Sequence, residues 1–265
     1  PLTFKRFNRG GEKVVLGGLC VLKASEVMLT RPYILWKDPL LVALNALAGR
    51  GERSPYRVVV VDNQLKIRGT LTGRRILEVL LGVRGESIIA ERGIKGILRE
   101  PVNLFLYEPR HVFLEHTPLP SILQYMAENY VGHVIITDDV GVLRGSVDES
   151  AIIGRLRGKS FGIPVSDVMT DKVFTISPEA TLYEAADAMV SHRVRRLPVV
   201  TDDNLVGIVT VTDVLNYILA EEKHVEMLLY DVSIEEVLSK KVGAVMTPTV
   251  ISISPSSDLG SAVDK

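Results

Sequence analysis

A chain that repeats itself must build its fold from a recurring unit, and this one repeats over long stretches. Residues 168–188, VMTDKVFTISPEATLYEAADA, align with residues 245–265, VMTPTVISISPSSDLGSAVDK, at a constant offset of 77 positions, Pro178 falling over Pro255. A related opening, VMLTRP, stands at Val27. A second marker recurs independently: a glycine after apolar residues, then a short polar strand end and a helix. It appears as IRGTLTGRRIL around Gly69, LRGSVDESAII around Gly145 and LVGIVTVTDVL around Gly207.

The best-formed copy, residues 165–220, can be read element by element. Residues 173–177 alternate and are β-rich, predicting a short strand, and Ser177, Pro178 and Glu179 read as a helix start. Leu182, Ala185, Ala186, Met189 and Val190 then recur at helical spacing to about Ser191. LPVV and VGIVTV are two apolar runs separated by TDDN, a turn signal. Thr210 or Thr212 opens a second helix carrying Val214, Leu215, Ile218 and Leu219. The unit is therefore β-α-β-β-α. The same order can be laid on the earlier chain, with a helix over residues 39–48 and RVVVVDN as a strand. Expected segments are a tail at 1–24 and units at 25–82, 98–157 and 164–221. A charged linker helix is expected over 221–240, and its end, followed by a truncated fourth unit, over 235–265. The fourth copy lacks the strand pair and second helix, and the chain opens on Pro1 rather than Met, so the sequence reads as a fragment.

Bulk properties narrow the function. At 265 residues and 46% hydrophobic the chain has enough apolar surface for two cores without disulfides or metal. Thirty-one basic residues against 32 acidic ones leave a formal charge of −1, so no global field draws nucleic acid or anionic lipid, and neither is an expected partner. The basic cluster Lys5, Arg6, Arg9 and Lys13 reads as a solvated tail. The lone Cys20 forms no internal disulfide and no secretory leader opens the chain, which predicts a reducing, cytoplasmic setting. Apolar runs are strand-length, far below the roughly 20 residues of a membrane helix.

Motifs that suggest chemistry fail on context. GKSFG at Gly158 fits the pattern of a nucleophile elbow, but no strand precedes Ser160. GRLRGKS at Gly154 has three residues between its glycines where a phosphate loop has four. The histidines show no metal-ligand spacing. No metal site, no cofactor and no enzymatic activity are expected.

The stretch from Val168 to Leu215, VMTDKVFTISPEATLYEAADAMVSHRVRRLPVVTDDNLVGIVTVTDVL, resembles the cystathionine-beta-synthase (CBS) domain, and the resemblance extends over roughly residues 25–265. It implies an α/β fold of CBS units paired into two Bateman modules, with clefts for AMP, ADP, ATP or S-adenosylmethionine, and a non-catalytic regulatory role. The family pattern of an Asp three residues after a Ser or Thr is met by Thr210 and Asp213. Asp213 would accept the ribose diol, each charge-assisted bond contributing about 1.5 to 3 kcal/mol. Thr210 and the amides around Val211 and Thr212 would meet phosphate. Val173, Phe174 and Thr175 would edge the base, and Arg195 and Arg196 would reach phosphate as guanidinium forks. The plain alternative for Asp213 is a first-turn acid stabilising a helix by about 0.3 to 1 kcal/mol. Arg75 and Ala151 hold the acid position in the first two units, and Asp148 replaces the hydroxyl in the second, so those clefts are expected to be poor. For Arg75 a surface salt bridge is the expected role. The chain reads as an adenine-nucleotide sensor acting on another protein and forming a homodimer. The alternative is a CBS-based dimerisation scaffold without a physiological nucleotide.

Overall fold

The computed structural model describes residues 21–30, 32–48, 57–220, 222–230 and 232–265. The basic cluster and Cys20 lie outside them. A helical turn α1 (Ala24–Val27) precedes β1 (Tyr33–Leu35), α2 (Leu40–Ala48), β2 (Arg57–Val61), β3 (Ile67–Thr72) and α3 (Gly73–Leu80). After a connecting helix α4 (Glu86–Arg99), the order recurs as β4 (Val112–Leu114), α5 (Leu119–Glu128), β5 (His133–Thr137), β6 (Leu143–Asp148) and α6 (Glu149–Ile153). It recurs again as α7 (Leu182–Ser191), β7 (Arg196–Thr201), β8 (Asn204–Thr210) and α8 (Val211–Ala220).

The agreement reaches the register. β1 runs parallel to β2 and β2 antiparallel to β3, and β4, β5 and β6 do the same. In all three hairpins the register shifts directly after the residue facing the marker glycine: Val60 opposite Gly69, Ile136 opposite Gly145, Val199 opposite Gly207.

Those glycines are present because another segment crosses them. Leu29, Tyr107 and Thr247 bridge to Ser146, Thr70 and Ile208, one residue past Gly145, Gly69 and Gly207. A Cβ on Gly69 would stand 2.5 Å from the Tyr107 carbonyl oxygen, and one on Gly145 2.8 Å from that of Leu29. On Gly207 it would stand 2.5 Å from Met246 Sδ. A side chain at any of these positions displaces the crossing strand.

The strand expected over 173–177 shrinks to a single parallel bridge between Ile176 and Val199. The reason is Pro198. In the second unit the Ile135 N–H donates to the His111 carbonyl at 2.9 Å. The corresponding position in the third unit is Pro198, which has no N–H for the carbonyl of residue 174. The helix after Pro178 begins only at Leu182, where Thr181 accepts from the Glu184 amide and Glu184 reaches back to the Thr181 amide. The expected linker helix divides into α9 (Glu222–Leu229) and α10 (Ile234–Val237), the latter capped by Ser233. Further on, α11 (Leu259–Asp264) is capped by Asp258, 77 positions after Thr181 (181 to 258).

Strand alternation explains the packing. Along β2, Val58 and Val60 face helices in the main core, whereas Val59 and Val61 pack with Ile135 of β5 between two sheets. The first two units therefore meet sheet to sheet. The first and third meet helix to helix: Ala43, Leu44 and Leu47 of α2 and Ile76 and Leu77 of α3 share one core with Ala185, Met189, Val214, Leu215 and Ile218. At its centre α3 and α8 start in contact, a Cβ on Gly73 falling 2.6 Å from Val211 Cγ1. No helix among the described residues is long and apolar enough to cross a membrane.

Candidate functional site

The end of β8 and the start of α8 bring the sequence-predicted polar residues together. The Thr210 amide donates to Asp213 Oδ2 at 2.8 Å, and the Thr210 hydroxyl donates to the same oxygen at 2.8 Å. In return Thr210 Oγ1 accepts from the Asp213 amide at 3.2 Å. This reciprocal cap satisfies two of the orphan donors of a helix start. Asp213 is thus a first-turn acid, as the plain alternative required. Its Oδ1, however, has no hydrogen-bond partner among the described residues, and the side chain is half-buried. One oxygen holds the helix and the other is available to a donor.

The other units share the cap but not the acid. Thr72 accepts from the Arg75 amide at 3.2 Å, and Asp148 from the Ala151 amide at 3.0 Å. Ala151 offers no acceptor. Arg75 differs from the expected surface salt bridge: its side chain is 4% exposed. The guanidinium lies 3.6 Å from the Tyr107 ring centroid and 3.0 Å from Glu78 Oε2. Tyr107 bridges to Thr70 as Thr247 bridges to Ile208, so Arg75 fills the ground beside the crossing strand.

The phosphate candidates are near the cap. Arg196 pairs with Thr210 across the ladder, and the Arg195 carbonyl accepts from the Val211 amide at 2.9 Å, which also fixes Thr212 in the first turn. Arg57, at the corresponding ladder position in β2, was not among the sequence candidates, although its place opposite Thr72 matches that of Arg196 opposite Thr210. Its guanidinium is pushed below its ordinary value first by burial and then by the neighbouring Arg195 charge, with Tyr107 and Glu149 acting in the opposite sense. Two guanidiniums from different units therefore converge where α3 and α8 begin.

Val173, Phe174 and Thr175 stand one strand over from the cap. Ile176 lies against β7, whereas Thr210 ends β8, so β7 separates these residues from the cap. They are exposed, and the Phe174 ring stacks on His192 at 3.8 Å and 10°. The segment that flanks β8 is the crossing strand at Met246 and Thr247. Thr247 exchanges two backbone hydrogen bonds with Ile208, at 3.0 and 2.9 Å. The signal for it was the repeated VM opening, whose copies at Val27 and Val245 run into the crossings at Leu29 and Thr247. Among the described residues no cluster of three or more His, Cys, Asp or Glu could hold a metal.

Comparison with known proteins agrees with this architecture. Residues 165–220 match the model of the CBS domain. An uncharacterised 33.4 kDa protein in a ribosomal RNA operon of Thermofilum pendens is 28% identical over 212 residues, 76% of this chain and 70% of that protein. The CBS domain-containing protein YhcV of Bacillus subtilis is 36% identical over 90 residues, 33% of this chain and 64% of that protein. The crystal structure of protein MJ1225 from Methanocaldococcus jannaschii superposes with a TM-score of 0.79 at 21% identity, covering 92% of this chain and 88% of that one. Residues 165–220 thus match the CBS domain, and tandem CBS repeats fit the fold of the chain.

Proposed function

We propose that the protein is a non-catalytic regulator that binds an adenosine-containing ligand, AMP, ADP, ATP or S-adenosylmethionine, at the start of α8. The carrying observation is the divided carboxylate of Asp213, one oxygen capping the helix and the other unpartnered among the described residues. A ribose presents two vicinal hydroxyls, and a carboxylate can accept from both. The Thr212 amide stands at a helix N-terminus, where the backbone dipole favours a phosphate, whereas the Val211 amide is already given to the Arg195 carbonyl and the Thr210 hydroxyl to Asp213. Arg57, Arg195 and Arg196 supply cationic donors on the same side, and Met246 and Thr247 form the neighbouring wall. In this reading Val173, Phe174 and Thr175 edge the base one strand over from the Thr210 cap, since strands lie about 4.8 Å apart.

Isothermal titration of the four ligands into the protein and into its Asp213→Ala variant tests the proposal. Loss of the carboxylate is expected to weaken binding about ten- to a hundredfold, the equivalent of one or two charge-assisted hydrogen bonds. Undiminished affinity in the variant, or no binding to the parent, refutes it. The buried Arg75, sealed against Tyr107 and Glu78, favours a scaffold role for the first unit, whose cleft is filled by its own side chain.

A further inference from the structure

Arg74 and Arg75 open α3, and Glu78 lies one turn on, so helical spacing delivers both guanidiniums to one carboxylate. Arg74 Nη1 stands 3.3 Å from Glu78 Oε1 and Arg75 Nη1 3.0 Å from Oε2. The chain then turns back through Gly82, at φ 76°, and Arg84 Nε reaches the same Oε2 at 3.1 Å. Across from this wall, the end of α7 supplies Ser191 and Arg193, the latter in the left-handed region at φ 55°. Arg74, Glu78 and Arg84 on one wall and Ser191 and Arg193 on the other line a cleft of about 430 Å³.

The charge in this cleft does not balance. Arg74 and Arg84 share with the buried Arg75 behind them one carboxylate that is only 10% exposed, and Arg193 adds a third cleft-lining cation from the opposite wall. One acid compensates one cation; Arg84 is 54% exposed and Arg193 is exposed, so water screens part of the remaining repulsion, and an anion bridging the two walls would neutralise it. Burial also pushes the Glu78 carboxyl up, against the pull of Arg74 and Arg193, which weakens the one anion the protein supplies.

We propose that the cleft between α3 and α7 binds a small polyanion of the pyrophosphate class, held by Arg74 and Arg84 on one wall and Arg193 on the other. Guanidinium forks match phosphate oxygens two at a time, and walls on separate helices suit linked phosphates better than one. These residues are not those of the ribose clamp, so the inference stands apart from the reading of Asp213. The same chemistry could arrive as free inorganic pyrophosphate or triphosphate, or as the tail of a nucleoside di- or triphosphate.

Titration of inorganic pyrophosphate and triphosphate into the protein at fixed ionic strength tests the site. Binding is expected, weakened about ten- to a hundredfold by Arg84→Gln or Arg193→Asn. Asn is chosen at 193 because it tolerates positive φ. Glu78→Gln should tighten binding by removing the competing carboxylate. Competition by ADP that is lost together with pyrophosphate binding in Arg84→Gln identifies the nucleotide tail as the source. Pyrophosphate binding without competition by ADP identifies the free polyphosphate. No pyrophosphate binding to the parent, or binding indifferent to both arginine variants, overturns the proposal.

Discussion

Gly69→Ala probes how the units are joined, and its cost can be worked from the structure. The new Cβ would lie 2.5 Å from the Tyr107 carbonyl oxygen and 3.0 Å from Leu106 Cβ. The first contact is with backbone, so a rotamer change cannot relieve it, and the 106–107 segment must withdraw. That withdrawal strains the two hydrogen bonds between Thr70 and Tyr107, at 3.1 and 3.0 Å, each contributing about 1 kcal/mol. Overpacking adds about 1 to 3 kcal/mol. A loss of about 3 kcal/mol is expected in urea denaturation, with faster hydrogen exchange at the Thr70 and Tyr107 amides. Gly154→Ala is the control: its backbone is right-handed helical, the nearest atom to a new Cβ is 3.4 Å away, and a gain of about 0.4 to 1 kcal/mol is expected. A Gly69→Ala cost below about 0.5 kcal/mol, with exchange at both amides unchanged, refutes the close-crossing explanation of the repeated glycine.

Thr181→Ala removes the cap that accepts from the Glu184 amide and should lower stability by about 1 kcal/mol in the same assay. Pro198→Val restores the missing N–H and should extend the edge strand to residue 174, read as new exchange protection at the residue 198 amide. Asp258 accepts from the amides of Phe161, Gly260 and Gly162, and the Phe161 bond leads in holding its carboxyl below the usual range. Because the folded value is depressed, this link is fully present above the unfolded value of about 4 and is lost as pH falls through the folded one. Amide exchange at Phe161 and Gly162 should therefore accelerate in acid, and Asp258→Asn should abolish that pH dependence.

How much was legible depended on the range of the interaction. The β-α-β-β-α order, the helix faces and the caps at Thr72, Asp148 and Thr210 could be read from residues three or four apart, because periodicity and capping are local. The edge strand at 173–177 failed for a reason present in the sequence: Pro198 lies in its partner, and pairing must be known before a missing N–H matters. Arg75 was read as a surface ion pair because nothing local shows that Tyr107, 32 residues on (75 to 107), covers it.

The sequence by itself determined the repeating unit, Asp213 as the one acid among the positions three residues after the caps (Arg75, Ala151 and Asp213), and a glycine at every crossing. Only the tertiary structure decided what each crossing strand covers and which side chains gather where units meet. Thr247 beside Thr210, Arg57 beside Arg195, and four guanidiniums around Glu78 all join residues far apart in the chain. Their proximity follows from sheets packing through one face and helices through the other, a long-range outcome that no local pattern encodes.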